Sequence, residues 1–389
     1  MEARLVVADA AAGSVHVYAI PSNEKLTTIT GRTFADHSGM LPLRDGRLLF
    51  VDEANHELVA LQTRGKPKIV GTAKLPEGEA THLAVDESGR YAVVAAAEEH
   101  DHEQAQEEAH GLLTVVDLTT YTPATIEVDS AHPGIMVSGD TVVHRGDGVL
   151  ETFPIADIVA NPGAHLEPTS TLSTGANGHG EAAHANGLAL GATDAGLETA
   201  RVVGGTLQRV RTVAWPTPGR ASYVRVTKEK LVTYTSDRPG DDWPNWRNDA
   251  LAVIPETGAT TTAALGNGFL FRHALSSRYA GYVLHQPAGD QVAFTSVKTG
   301  QVTARVALPS LPGGPAPGQS PWEAQIRRIT MDPFGAPAYV SGGGTGKISV
   351  ISPDLGRVVG TITTPTSLDG GGALTVVVPG HDVPDRIGR

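Results

Sequence analysis

The 389-residue chain contains no cysteine, which excludes disulfides and thiolate metal ligands in any compartment. It has no run of about 18 apolar residues, so no helix is expected to span a membrane. Lysine and arginine are outnumbered by aspartate and glutamate, 30 to 42, for a net charge of −12. Nowhere do basic residues cluster among aromatics, so the phosphate-neutralising footprint of a nucleic-acid binder is missing. The opening residues, MEARLVVADAAAGSVHVYAI, lack the basic start, long apolar run and small-residue cleavage site of a signal peptide. No segment of useful length carries a helical apolar period.

What is present is turn chemistry and β-rich runs. Hydrophobic residues make up 40%, enough for a core, and 45 glycines with 26 prolines point to many turns. One pattern recurs: RLVVADAAAGSVHVYAI (4–20), RLLFVDEANHELVALQ (47–62), RYAVVAA with LLTVVDL (90–118), TVVHRGDGVLETF (141–153) and LALGATDAGLETA (188–200). It continues through LVTYTS with ALAVIPETG (231–258), YVLHQPAGDQVAFTSVKTG (282–300) and AYVSGGGTGKISVIS (338–352). About eight copies, spaced roughly 40 to 57 residues apart with some four strands each, predict an all-β, eight-bladed β-propeller, seven blades being the other count. The chain is therefore read as one domain, 1–389, with an insertion at 98–110. The last apolar run, ALTVVVPG (373–380), has no hairpin partner and is assigned as the innermost strand of the first blade, closing the ring without a free edge.

Blade strands, lettered A to D from the axis outward, alternate in direction. The B–C loops and the connections from one blade's D to the next blade's A therefore share a face. The insertion EEHDHEQAQEEAH (98–110) is the third repeat's B–C loop and puts His100, His102 and His110 on that face. Some eight residues before successive B strands stand His82, His132 and His179, with His273 and Arg328 in two later copies. A lone inner-strand histidine is ordinarily a core residue bonded to backbone. Repetition at one inward position, in a chain of 15 histidines, points instead to metal ligands from separate blades meeting where the blades converge. Glu181, two residues after His179, is the carboxylate placed to ligate or to orient an imidazole, and Asp36 and His37 enter the same rim. His184 falls on the opposite strand face. His16, His56 and His165 are read as surface.

Other motifs fail. HGEAAH (179–184) has neither the spacing nor the helix of a zinc protease motif, and no Pro-Cys-x-x-Cys follows to make it a deaminase. SGGGTGKIS (341–349) is a tight hairpin turn rather than a phosphate loop, and no G-x-S-x-G occurs. The loop DRPGDDWPNWRND (237–249) is read as self-packed, with exposure of Trp243 and Trp246 as a docking lip the competing reading.

The insertion EEHDHEQAQEEAH, the NGHGEA before LALGATDAGL, and AHPGIMVSGD, together with the repeat, resemble the AztD-type zinc metallochaperones, extracytoplasmic propellers associated with zinc ABC importers. The resemblance implies two zinc sites: a tight one on the propeller, matched here by His179 and Glu181, and a flexible one, matched by His100, His102 and His110, that passes metal to the transporter's solute-binding protein. It also implies a periplasmic or secreted monomer that is not an enzyme. The pattern is broken at Ala192, where the family has a cysteine, and at Arg328, where it has a histidine. Zn(II) is thus the expected cargo, with His82, His100, His102, His110, His132, His179, Glu181 and His273 the candidate ligands. Two other functions compete: a lactonase-like or metal-dependent hydrolase with Glu181 as general base, and a metal-free interaction scaffold.

Overall fold

The computed structural model describes residues 2–97, 110–130, 132–184, 187–381 and 386–388. Its fold is an eight-bladed β-propeller, each blade an antiparallel sheet of four strands, the third extended to five. In chain order the inner strands of the second to eighth blades are Met40–Pro42, Glu79–Val85, Gly134–Ser138, Glu181–His184, Val224–Val226, Phe269–Leu275 and Ile329–Met331. In the first blade the inner position belongs to Ala373–Val377, which pairs with Arg4–Asp9 so that Val377 lies opposite Arg4. The C-terminal apolar run thus occupies the place its lack of a hairpin partner assigns to it.

The propeller repeat is written as continuous apolar runs because blade faces are covered on both sides. Arg4–Asp9 is buried at every position and Leu188–Thr193 likewise. The outermost strands alternate instead, as in Val302–Leu308 with its exposed Thr303 and Arg305, because one face meets a neighbouring blade and the other meets water.

Two compact units are distinguished. One comprises Met1–Arg32 and Trp215–Val378, the other Thr33–Ala214 and Pro379–Arg389. The first unit holds the first, sixth, seventh and eighth blades, with Leu5, Tyr18, Tyr339 and Val376 in one core cluster and Tyr234, Leu270, Tyr282 and Leu284 in another. The second unit holds the second to fifth blades, cored by Leu49, Leu83 and Val94 and by Leu113, Ile135, Val142 and Phe153. There Ile387–Gly388 adds a fifth strand inside the third blade, Ile387 opposite Ala84.

Two sequence readings are settled by burial. Trp243 is fully buried, its indole N–H donating to the Ala316 carbonyl at 3.1 Å, and Trp246 donates to Gly240 at 2.8 Å. The 237–249 loop is therefore self-packed, and neither tryptophan forms a lip. His16, read as surface, is 0% exposed: its Nδ1 meets Thr28 Oγ1 at 3.0 Å and its Nε2 meets Thr366 Oγ1 at 3.1 Å. Burial, with Lys25 adding to it, holds this imidazole below the usual histidine range. Of the hydroxyls that make its burial affordable, one lies on the next strand and the other in a bend 350 residues away.

Candidate metal centre

In the second unit the inner strands of the third, fourth and fifth blades are neighbours, and at their loop ends a buried charge network is built. Glu181, first residue of its strand, is 0% exposed. A carboxylate so placed must be paired, since an uncompensated buried charge is far costlier than any packing it could gain. Its partners are Arg145 Nε on Oε1 and His82 Nε2, 3.1 Å from Oε2. Arg145 comes from the second strand of the fourth blade and also donates to the His132 carbonyl at 3.3 Å. Glu181 reaches His82 past the intervening inner strand because residue 134 is glycine. A Cβ there would stand 2.5 Å from Glu181 Oε1 and 2.8 Å from Arg145 Nε. Gly134→Ala is accordingly expected to cost about 1–3 kcal/mol through overpacking, read as a lower urea midpoint; an unchanged midpoint would remove the close approach as a constraint.

His82 has a particular proton logic. Its Nδ1 lies 3.0 Å from the Pro133 carbonyl, which can only accept, so Nδ1 carries a hydrogen. Its Nε2 faces an oxygen of the carboxylate that pairs with Arg145. A lone pair pointed at that oxygen is repulsive, so the position calls for a second proton or another cation. The first unit contains a network that looks alike but is closed. His285 Nδ1 meets Asp290 Oδ1 at 3.1 Å, Arg327 Nε donates to Asp290 Oδ2 at 2.6 Å, and His285 Nε2 accepts the Arg327 backbone N–H at 3.3 Å. That imidazole is satisfied at both nitrogens, a structural arrangement.

Around His82 stand His37, its ring 6.1 Å away, and Glu79, whose carboxylate is 3.7 Å from His37 Nδ1. Glu79 pairs with Ala97, as does Gly111, so the 98–110 insertion leaves and re-enters the sheet at this same end. His110, at its foot, is half-buried with Nδ1 3.4 Å from Asp129. His132 is exposed on the approach to its inner strand, and His179 is half-buried, its backbone N–H donating to the Ala192 carbonyl at 2.8 Å. His100 and His102 lie outside the described residues. His273 belongs to the other unit: its Nε2 donates to the Val232 carbonyl at 3.1 Å, and its ring stacks on Tyr282 at 5.5 Å. The structure thus brings His82 and Glu181 into contact. Among the described residues no three histidine, aspartate or glutamate side chains converge as a ready metal site. Arg145 and Gly134 escaped sequence reading; the one available signal was an arginine inside the apolar run TVVHRG.

The class these features define is an eight-bladed β-propeller with a histidine–carboxylate pair at the loop end of its inner strands. No protein-family model matches the chain, and no curated protein matches it in sequence. Among solved structures it is similar to AztD from Citrobacter koseri, with a TM-score of 0.70 and 12% identity over 97% of this chain and 98% of that one. The apo form of the same protein gives a TM-score of 0.67 at the same identity and coverage. The dihydro-heme d1 dehydrogenase NirN in complex with DHE gives 0.64 at 15% identity, covering 97% of this chain and 75% of that one. At such identities the likeness is one of fold.

Proposed function

We propose that this propeller is an extracytoplasmic zinc carrier and not an enzyme: a monomeric, single-domain protein that captures Zn(II) with the histidines of 98–110, holds it at His82 and Glu181, and yields it to the solute-binding protein of a zinc ABC importer. The observation that carries the reading is His82 Nε2 facing Glu181 Oε2 at 3.1 Å with Nδ1 committed to a carbonyl. Zinc bonds of about 2.0–2.2 Å to nitrogen and oxygen at a tetrahedral angle put those two atoms about 3.4 Å apart. A shift of a few tenths of an ångström converts the pair into half of a zinc site. The remaining positions fall to water and to rim donors such as His37, its ring 6.1 Å from that of His82. The carbonyl on Nδ1 is the outer contact that fixes tautomer and ring orientation in such sites.

Fold likeness to AztD and the resemblance of the histidine-rich insertion support the same reading. Because NirN, a dehydrogenase by description, shares the fold, the fold alone does not decide against catalysis. The hydrolase reading named Glu181 as its general base, and both oxygens of that carboxylate are engaged in a fully buried position, which disfavours that role for it.

Chelator-stripped protein titrated with Zn(II) against a chromophoric chelator is expected to give two classes of site, with the weaker lost in His100→Ala/His102→Ala. Binding no tighter than that of scattered surface histidines would remove the carrier function.

A further inference from the structure

The first unit carries, at the loop ends of its inner strands, a concentration of arginine on aromatic faces that the zinc reading does not use. Arg238, in the sixth blade's B–C loop, sets its guanidinium 5.0 Å from the Trp246 ring and 5.2 Å from the Trp322 ring, with Nε donating to Ser236 Oγ at 3.2 Å. Arg328 lies 4.7 Å over Phe271, and Arg272 lies 5.2 Å over the same ring. Burial, and the neighbouring Arg220 among smaller influences, hold Arg238 below the ordinary arginine range. In a chain of net charge −12, positive charge has been gathered where its self-repulsion and desolvation both cost free energy. Trp322 covers this cluster edge-on, 5.6 Å from Phe271, and yet stays 48% exposed. A half-exposed tryptophan already braced by aromatic neighbours and a stacked guanidinium loses little entropy on binding.

We propose that Trp322 and Arg238 form a binding site for an aromatic carboxylate. The ligand's ring lies on the outward part of Trp322 and its carboxylate takes the guanidinium N–H groups, a planar match that lysine could not make. Arg272 and Arg328 supply the surrounding positive field. Asp241, Asp242 and Glu323 are exposed on the same two loops, so a polyanion is repelled at the rim and a single carboxylate is favoured. The exposed acids thereby set the charge of the ligand, and the aromatics set its shape.

The test is calorimetric titration of the whole protein with 2-naphthoate, beside naphthalene-2-methanol, which lacks the charge, and cyclohexanecarboxylate, which lacks the flat ring. Saturable one-to-one binding of 2-naphthoate is expected, about tenfold or more weaker in Arg238→Gln and in Trp322→Ala, and kept within about threefold in Trp322→Phe, where a ring remains. Both analogues bind more weakly. Trp322 is half in solvent, so its truncation leaves the fold intact by circular dichroism. Absence of saturable binding, wild-type affinity in either disruptive variant, or equal affinity for the uncharged analogue overturns the proposal. None of these outcomes depends on zinc.

Discussion

Replacing Glu181 with alanine is expected to lower stability by about 3–5 kcal/mol, the range for removing one partner of a buried ion pair. The loss comes mainly from what is left behind. Arg145 is itself buried, and without the carboxylate its guanidinium keeps the His132 carbonyl but no counter-charge at Nε. His82 loses the anion that would stabilise a proton on Nε2. Glu181→Gln keeps the volume and one acceptor and is expected to lose less. In a double-mutant cycle, Glu181→Ala/Arg145→Ala should cost clearly less than the sum of its parts, because the second substitution removes the charge the first one stranded. Urea midpoints followed by circular dichroism read all three. A Glu181→Ala protein that unfolds at the wild-type midpoint would mean that the carboxylate is not buried against Arg145.

The blades were legible because a propeller strand is covered on both faces and so declares itself as an unbroken apolar run, as in RLVVAD and LALGAT. The closing strand was legible for a similar reason: an apolar run without a hairpin partner needs an edge to cover. The site was only half legible. His82 and Glu181 could be placed near one another by counting from the B strands, since counting gives position along a strand. It does not give what a side chain meets across strands. Arg145 enters from a second strand, and Gly134 matters for the side chain it lacks, so neither leaves a histidine-like mark. The same limit explains His16, whose satisfying hydroxyls are distant in sequence. It also explains the tryptophans: all three stand in loops, yet Trp243 and Trp246 turn inward while Trp322 stays half in water.

His82→Ala is expected to weaken the tight zinc class at neutral pH by at least about a hundredfold, since losing an outer-shell contact alone costs about 10- to 100-fold and here the imidazole itself is removed. The variant should fold, because Arg145 still compensates Glu181. In the unaltered protein the same affinity is expected to fall as pH drops, because zinc needs an unprotonated Nε2. The geometry gives that release a specific course. A proton on Nε2 pairs with Glu181 Oε2 at the distance already present, so proton and zinc are alternative occupants of one gap, and the protein stays folded whichever it holds. Acid should therefore discharge zinc without unfolding the propeller, and chelator competition at pH 7.5 and 5.5 beside circular dichroism checks both halves. A tight class that survives His82→Ala would place the zinc elsewhere. Unfolding that tracks zinc loss at pH 5.5 would mean that metal, rather than the proton, is what the buried carboxylate requires.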